Sequence, residues 1–187
     1  MRGASTADWV IDTDGSPTGT LSSAFEPCGN PSYPSNKGLR VKGSGFTRWG
    51  ISISRFLVSV RQPVDLSGFD DVGVFIFSPT ITPVLLKFLN PYAYQECGNC
   101  NDTSPESECF SGFVANLFTT SGNDARGVMW SDLKQQTWGY RPPGVTMLDP
   151  SNVVAIALFI DQTVGSFDIC LEDVLLSPLL RPPPPMP

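Results

Sequence analysis

The side chains with the most chemistry to offer are five cysteines: Cys28, Cys97, Cys100, Cys109 and Cys170. Three of them fall in one stretch, Cys97-Gly98-Asn99-Cys100 followed after eight residues by Cys109. A Cys-x-x-Cys pair with two more thiolates could hold zinc in an all-cysteine site. The same pair could be a redox couple, although no helix follows to lower a thiol pKa. The third chemistry is disulfide stapling of a long loop, which suits a chain with few charges and many Ser, Thr and Gly. Disulfides are the favoured reading. Cys28, Cys97, Cys100 and Cys109 are expected to form two bridges, one inside the loop and one from Cys28 to the loop. Cys170 is then left as a thiol.

The chain contains no histidine. That removes Ser-His-Asp and Cys-His catalysis and every histidine-ligated metal. Paired carboxylates, Lys, Tyr or an oxygen-ligated metal would have to carry any reaction. No motif sets two acids across a cleft at the separation such catalysis needs. A non-catalytic protein is therefore expected. The net charge of −6, with no basic patch, argues against nucleic acid and anionic membrane as partners.

The aromatic residues offer binding chemistry instead. Trp and Tyr faces stack on the C–H faces of sugar rings. Tyr92-Ala93-Tyr94 would put both rings on one side of an extended segment, just before the cysteine loop, and these are the better ligand candidates. Tyr140 belongs to the same set of aromatics. Trp49, Trp130 and Trp138 read as core residues or loop anchors. Arg48, Arg55 and Arg61 could add donors, and Asn101-Asp102-Thr103 fits the N-glycosylation pattern.

These residues must be held by strands. With 17 glycines and 18 prolines in 187 residues, the chain is built for turns rather than helices. No segment keeps a 3.6-residue apolar period, whereas short β-like runs recur. The clearest are 9–12, 38–42, 49–54, 72–78, 84–89, 114–118, 153–160 and 167–176. One helical turn is expected over 130–135, with Ser131 as its cap. The spacing predicts an all-β sandwich of two antiparallel sheets, a jelly roll, over residues 1–178. The proline-rich end, 179–187, reads as a tail or linker. No run of 18 apolar residues suits a membrane span, and no apolar leader follows Met1-Arg2-Gly3, so an exported chain is expected to have lost its signal.

Alternation sets the phase of three strands. Val72, Val74 and Ile76 oppose Phe75 and Phe77; Val84, Leu86 and Phe88 oppose Leu85, Lys87 and Leu89; Phe167, Ile169 and Leu171 oppose Asp168, Cys170 and Glu172. Two of these strands are apolar on both faces. Phe75, Phe77, Leu85 and Phe159 are therefore expected to form an outer apolar face that a loop, a ligand or another chain covers.

Several segments in order resemble one family. Trp49-Gly50, Pro63-Val64-Asp65-Leu66-Ser67-Gly68-Phe69-Asp70 and a strand ending at Ser78 resemble the front half of bacterial carbohydrate-binding-module-like jelly rolls, of the galactose-binding-like class. The cysteine loop, Trp130-Ser131-Asp132-Leu133-Lys134-Gln135, Trp138-Gly139, Asp149-Pro150 and Phe167-Asp168-Ile169-Cys170-Leu171-Glu172-Asp173-Val174 resemble the back half. The resemblance spans about Trp9 to Leu176. It implies a non-catalytic, secreted or cell-surface module that recognises a glycan on its concave sheet face. The candidate contacts are Phe75, Phe77, Leu85, Lys87, Tyr92, Tyr94, Phe159 and Asp168. It also implies first and last strands close together and often tied by calcium, for which Asp12, Asp14, Glu26, Glu172 and Asp173 are the candidate ligands. Ordinary turn chemistry in Asp12-Thr13-Asp14-Gly15 is the alternative for the first of these. The competing function is a structural subunit of an extracellular assembly, a fibre or homo-oligomer, using the same apolar face.

Overall fold

The computed structural model describes residues 9–29, 35–58, 62–118 and 122–178. Among them there is no α-helix, only short 3₁₀ turns between strands. The strands are β1 (Val10–Thr13), β2 (Thr20–Pro27), β3 (Lys37–Ser44), β4 (Ile51–Phe56), β5 (Phe69–Ser78), β6 (Pro83–Leu89), β7 (Phe113–Phe118), β8 (Gly122–Met129), β9 (Lys134–Gln135), β10 (Ala155–Ile160) and β11 (Ser166–Pro178). They form a six-stranded sheet in the order β1-β4-β10-β6-β7-β9 and a five-stranded sheet in the order β2-β3-β11-β5-β8. Every pairing is antiparallel. The chain is thus an all-β jelly-roll sandwich.

Alternation explains which side of each strand faces inward. Ile51 and Ile53 on β4, Val84, Leu86 and Phe88 on β6, and Ile156, Leu158 and Ile160 on β10 form the inner layer of the six-stranded sheet. Leu39 and Val41 on β3, Val72, Val74 and Ile76 on β5, and Phe167, Ile169 and Leu171 on β11 answer from the other sheet. β-Branched and aromatic residues dominate because they fit a pleated surface buried on one side. Burying each of these side chains fully contributes roughly 1.5–3 kcal/mol. The phases expected for β5, β6 and β11 agree with this arrangement.

Three expectations are corrected. The helical turn over 130–135 shortens to a 3₁₀ turn, Trp130–Asp132, followed at once by β9. Its N-terminal donor, the Met129 amide, goes to Asp132 Oδ2 at 3.2 Å, so Asp132 rather than Ser131 caps it. Three strands, β2, β8 and the two-residue β9, arise where none was expected. The disulfides are Cys28–Cys170 and Cys100–Cys109, and Cys97 stands outside both bridges. Cys170 is therefore not the leftover thiol. Although β3 lies between β2 and β11, its Gly38 carries no side chain, and a Cβ there would come within 2.9 Å of Cys28 Sγ, so Cys28, just past the end of β2, crosses β3 and reaches Cys170 with a Cα–Cα distance of 5.5 Å. The tail 179–187 and Arg61 lie outside the described residues.

Candidate functional site: the outer face of the six-stranded sheet

Side chains on the outer face of the six-stranded sheet form two rows. Asp12, Ser52, Phe159, Leu85 and Asn116 stand side by side on β1, β4, β10, β6 and β7. Val10, Ser54, Ala157, Lys87 and Val114 form the next row. The face is a shallow floor of small and apolar groups with hydroxyl and amide edges. Aromatic rings from neighbouring loops meet Phe159 and Lys87 on this face.

Trp49 comes from the loop between β3 and β4. Its ring stacks on Phe159 with centroids 6.0 Å apart and an 18° interplanar angle, and it is 40% exposed. Asp14 holds this loop. Its buried Oδ2 accepts from the amides of Arg48 at 2.9 Å and Gly50 at 3.1 Å, the two neighbours of Trp49. Its Oδ1 accepts from the Ser16 amide at 2.8 Å. Burial alone would raise the Asp14 pKa. The hydrogen bonds from Ser16, Arg48 and Gly50 outweigh it and hold the carboxyl well below the usual range. Gly50 has φ of +100°, and a Cβ there would collide with the Ile160 carbonyl, so only glycine lets the chain tuck in behind Trp49.

Trp138 comes from the loop between β9 and β10 and is also 40% exposed. Its loop is tied down by the amides of Gly139, to Pro105 O at 3.0 Å, and Tyr140, to Glu108 O at 2.9 Å. Gly139 takes φ of +70°, and a Cβ there would come within 2.8 Å of both Glu108 O and Ser111 Cβ. The result is that Trp138 hangs over the end of β6.

Lys87 sits beneath these rings. It is only 5% exposed. Its Nζ lies 5.0 Å from the Trp138 ring centroid and 5.4 Å from that of Phe159, and donates to the Phe110 carbonyl at 2.9 Å. Burial pulls its pKa from 10.5 down to about 8.

A second, smaller core supports the loop beyond β6. Leu89, Ala93, Tyr94, Val154 and Ala155 are buried there. Tyr94 touches Phe56 at 5.5 Å and Phe110 at 5.4 Å between ring centroids. The Cys100–Cys109 bridge closes the loop immediately before Phe110, which is 53% exposed.

The structure distributes the expected site residues differently from the sequence reading. Leu85, Lys87 and Phe159 are together on this face. Phe75, Phe77 and Asp168 lie on the outer face of the five-stranded sheet, so the expected single apolar patch is two patches on opposite sides of the sandwich. Phe75 and Phe77 are half-buried. Phe77 pairs with Cys170, and Cys170 with Arg40. Asp168 accepts a bidentate pair of bonds from Arg40 at 2.8 and 2.7 Å, with Lys42 at 3.4 Å. The side-chain bond from Arg40 pulls the Asp168 pKa down, against burial. Tyr92 and Tyr94 do not share a side, because Pro91–Ala93 is a 3₁₀ turn rather than extended chain. Tyr94 is buried and becomes a support, while Tyr92 donates to Asn90 Oδ1 at 3.2 Å and meets Tyr140 edge-on. Burial pushes both phenols upward.

The acids expected to hold calcium are divided between the two sheets. Asp12 and Asp14 belong to the six-stranded sheet and its loop, whereas Glu172 and Asp173 are on β11 of the other sheet. Both Asp14 oxygens already accept amide hydrogens, and Asp173 Oδ1 accepts from the Val174 amide at 2.8 Å. Glu26 faces Arg40 at 3.6 Å. Among the described residues no three Cys, Asp or Glu side chains are placed to hold a metal.

Trp49, Trp138 and Phe110 are the contacts that the sequence reading did not put at a site. The first two carried a signal: a Trp followed by a Gly that must adopt positive φ marks a turn that lifts a ring off the surface. Phe110 had only its place beside Cys109.

No family model matches the sequence, and no curated protein matches it. Solved structures do. The chain is similar to the family 11 carbohydrate-binding module from Clostridium thermocellum in complex with a β-1,3-1,4-mixed-linked tetrasaccharide, at 16% identity, TM-score 0.61, with 95% of this chain and 93% of that chain covered. It is similar to the family 11 module of a cellulosomal cellulase of the same organism, at 16% identity and TM-score 0.61, covering 94% and 91%. It is also similar to part of an exo-β-agarase, at 14% identity and TM-score 0.56, covering 96% of this chain and 24% of that one. The chain therefore has the fold of the carbohydrate-binding-module β-sandwiches.

Proposed function

We propose that the protein is a non-catalytic glycan-binding module that takes its ligand on the outer face of the six-stranded sheet. The observation that carries this reading is the set of rings around Lys87. Trp49, stacked on Phe159, and Trp138, against Lys87 Nζ, stand partly exposed, and Ser52, Ser54 and Asn116 supply hydroxyl and amide groups on the same face. A pyranose offers apolar C–H faces to such rings and equatorial hydroxyls to such edges. Asp12 is the one acid in the two rows, so the face holds no pair of carboxylates for general acid and base. A module of the same fold is in complex with a β-1,3-1,4-mixed-linked tetrasaccharide, which makes mixed-linked β-oligosaccharides the first ligands to try. Two disulfides are consistent with a secreted or cell-surface setting.

Calorimetric titration with a β-1,3-1,4-mixed-linked tetrasaccharide and a panel of other oligosaccharides tests the reading. Trp49→Ala and Trp138→Ala together are expected to weaken binding by at least about tenfold, a loss of about 1.4 kcal/mol. Unchanged affinity in the double variant, or no binding to any glycan by the wild type, contradicts it.

A further inference from the structure

Phe110 is, among the described residues, the one non-glycine with positive φ, at +64°. A bulky side chain in the left-handed region costs on the order of 1–3 kcal/mol and persists only where its surroundings over-determine it. Here they do. The Phe110 amide donates to Ala93 O at 2.7 Å. Its carbonyl accepts from Lys87 Nζ at 2.9 Å. Its neighbour Cys109 is bridged to Cys100, and its ring stands edge-on against Tyr94. Despite all this restraint, Phe110 is more than half exposed. The backbone is strained so as to present an aromatic ring to solvent, whereas a core residue would be strained to bury one.

Lys87 connects that ring to the others. A lysine stem on β6 could easily have been a leucine, as its neighbours Leu85, Leu86 and Leu89 are. Placing an ammonium there has a burial cost, and what it gains is one carbonyl and two ring faces. The carbonyl is that of Phe110, one ring is Trp138 and the other is Phe159. One cation therefore touches three parts of the aromatic face: the cysteine loop, the β9–β10 loop and the sheet floor.

We infer that Lys87 is a positioning residue: its ammonium locks Phe110 and Trp138 in the orientations in which they contact a ligand, and Phe110 is an additional ring of the binding face. This rests on the glycan-binding reading above for the identity of the ligand. The clamp itself is a property of the protein without ligand. Because the ammonium is buried at a cost, removing it leaves the fold at least as stable while loosening the rings. A lysine that merely filled space would show the reverse: lower stability, unchanged rings.

Lys87→Met and Lys87→Arg separate these cases. Met keeps the stem and drops the cation; Arg keeps the cation. Three readouts are needed: melting temperature, affinity for the β-1,3-1,4-mixed-linked tetrasaccharide, and the amide resonance of Phe110 with the indole Nε1–H resonance of Trp138. Lys87→Met is expected to melt no lower than wild type, to shift both resonances, and to bind about tenfold more weakly. Lys87→Arg is expected to keep affinity within about threefold of wild type. The inference is overturned if Lys87→Met leaves both resonances in place, or if Lys87→Arg loses as much affinity as Lys87→Met. Should Lys87→Met not fold, Lys87→Arg decides: wild-type resonances support the clamp and shifted ones refute it. If the wild-type protein binds no tetrasaccharide, the glycan reading has failed, and the two resonances in Lys87→Met decide the clamp by themselves.

Discussion

The two outer faces of the sandwich begin from similar material and end differently. Each carries aromatic residues on strands whose other side is already in the core. On the five-stranded sheet, Phe75 and Phe77 are half-buried, the Cys28–Cys170 bridge crosses beside Phe77, and Arg40 with Asp168 closes the next positions with a bidentate ion pair. Its polar groups are spent on one another. On the six-stranded sheet, Trp49, Phe110 and Trp138 project from loops; Lys87, the one buried cation among the described residues, contacts the Phe110 carbonyl and the Trp138 ring rather than a carboxylate, while Asp14 holds the Trp49 loop. The comparison teaches that an apolar outer strand face is not by itself a binding face. What distinguishes the second is that its polar contacts fix rings and leave the ring surfaces open.

The two disulfides give the sharpest way to break the comparison. Cys28–Cys170 links residues 142 apart, and in the chain-entropy model its loss costs about 5 kcal/mol. Cys100–Cys109 links residues nine apart, and its loss costs about 3 kcal/mol. Denaturant melts of the paired Cys→Ser variants should show the first as the larger destabilisation. Titrations well below the melting point should show the second as the larger loss of glycan affinity, because only that bridge restrains Phe110. Equal effects of both variants on binding would remove the distinction between a closed face and an open one.

Lys87 predicts a pH signature on the open face alone. Its folded pKa of about 8 lies below its ordinary value of 10.5, so the unfolded chain binds more protons between those limits. Stability contributed by this group therefore rises as pH climbs through that window, by up to about 3 kcal/mol. Tyr92 and Tyr94 act in the opposite sense, since both phenols are raised above 10.0 and the unfolded chain ionises first. Denaturation midpoints should climb from about pH 8 and turn over as pH passes the ordinary tyrosine value. In Lys87→Met the climb should vanish and the fall remain; a climb that survives would mean another group produces it.

The smallest effect belongs to the closed face. Phe75→Ser with Phe77→Ser leaves Val72, Val74 and Ile76 in the core, so the fold should persist. Each ring is half-buried, and the loss should stay below the roughly 1.5–3 kcal/mol of a fully buried ring. Glycan affinity should not change. If sedimentation shows that wild-type protein self-associates and this variant does not, the closed face is an assembly surface instead.

What could be read in the sequence follows burial. β5, β6 and β11 were legible because one side of each is continuously apolar and buried, and their phases follow from alternation alone. β2 was not, since it is an edge strand whose Leu21, Ser23 and Phe25 face the core side yet remain exposed, and Thr-Leu-Ser-Ser-Ala-Phe has no period-two pattern. β8, Gly-Asn-Asp-Ala-Arg-Gly-Val-Met, is the polar edge opposite it. The candidate site was half legible. Lys87 and Leu85 came from the phase of β6, and Phe159 was named without a phase for β10. Trp49 and Trp138 were visible as residues, but their presentation depends on Asp14 reaching across 34 residues to the Arg48 amide and on Gly139 closing onto Glu108. The Cys28–Cys170 pairing required knowing that β3 separates β2 from β11, which no local pattern states.

The four tryptophans provide the most direct test of where a ligand sits. Trp9 is buried and Trp130 packs on the core, with its indole Nε1–H donating to Phe69 O at 2.7 Å, whereas Trp49 and Trp138 flank the proposed face. Titrating ¹⁵N-labelled protein with the β-1,3-1,4-mixed-linked tetrasaccharide should move the indole signals of Trp49 and Trp138, together with the amide of Phe110, and leave those of Trp9 and Trp130 in place. Shifts confined to Phe75, Phe77, Arg40 and Asp168, or no shift with any glycan that the protein retains, would contradict the assignment of binding to the six-stranded face.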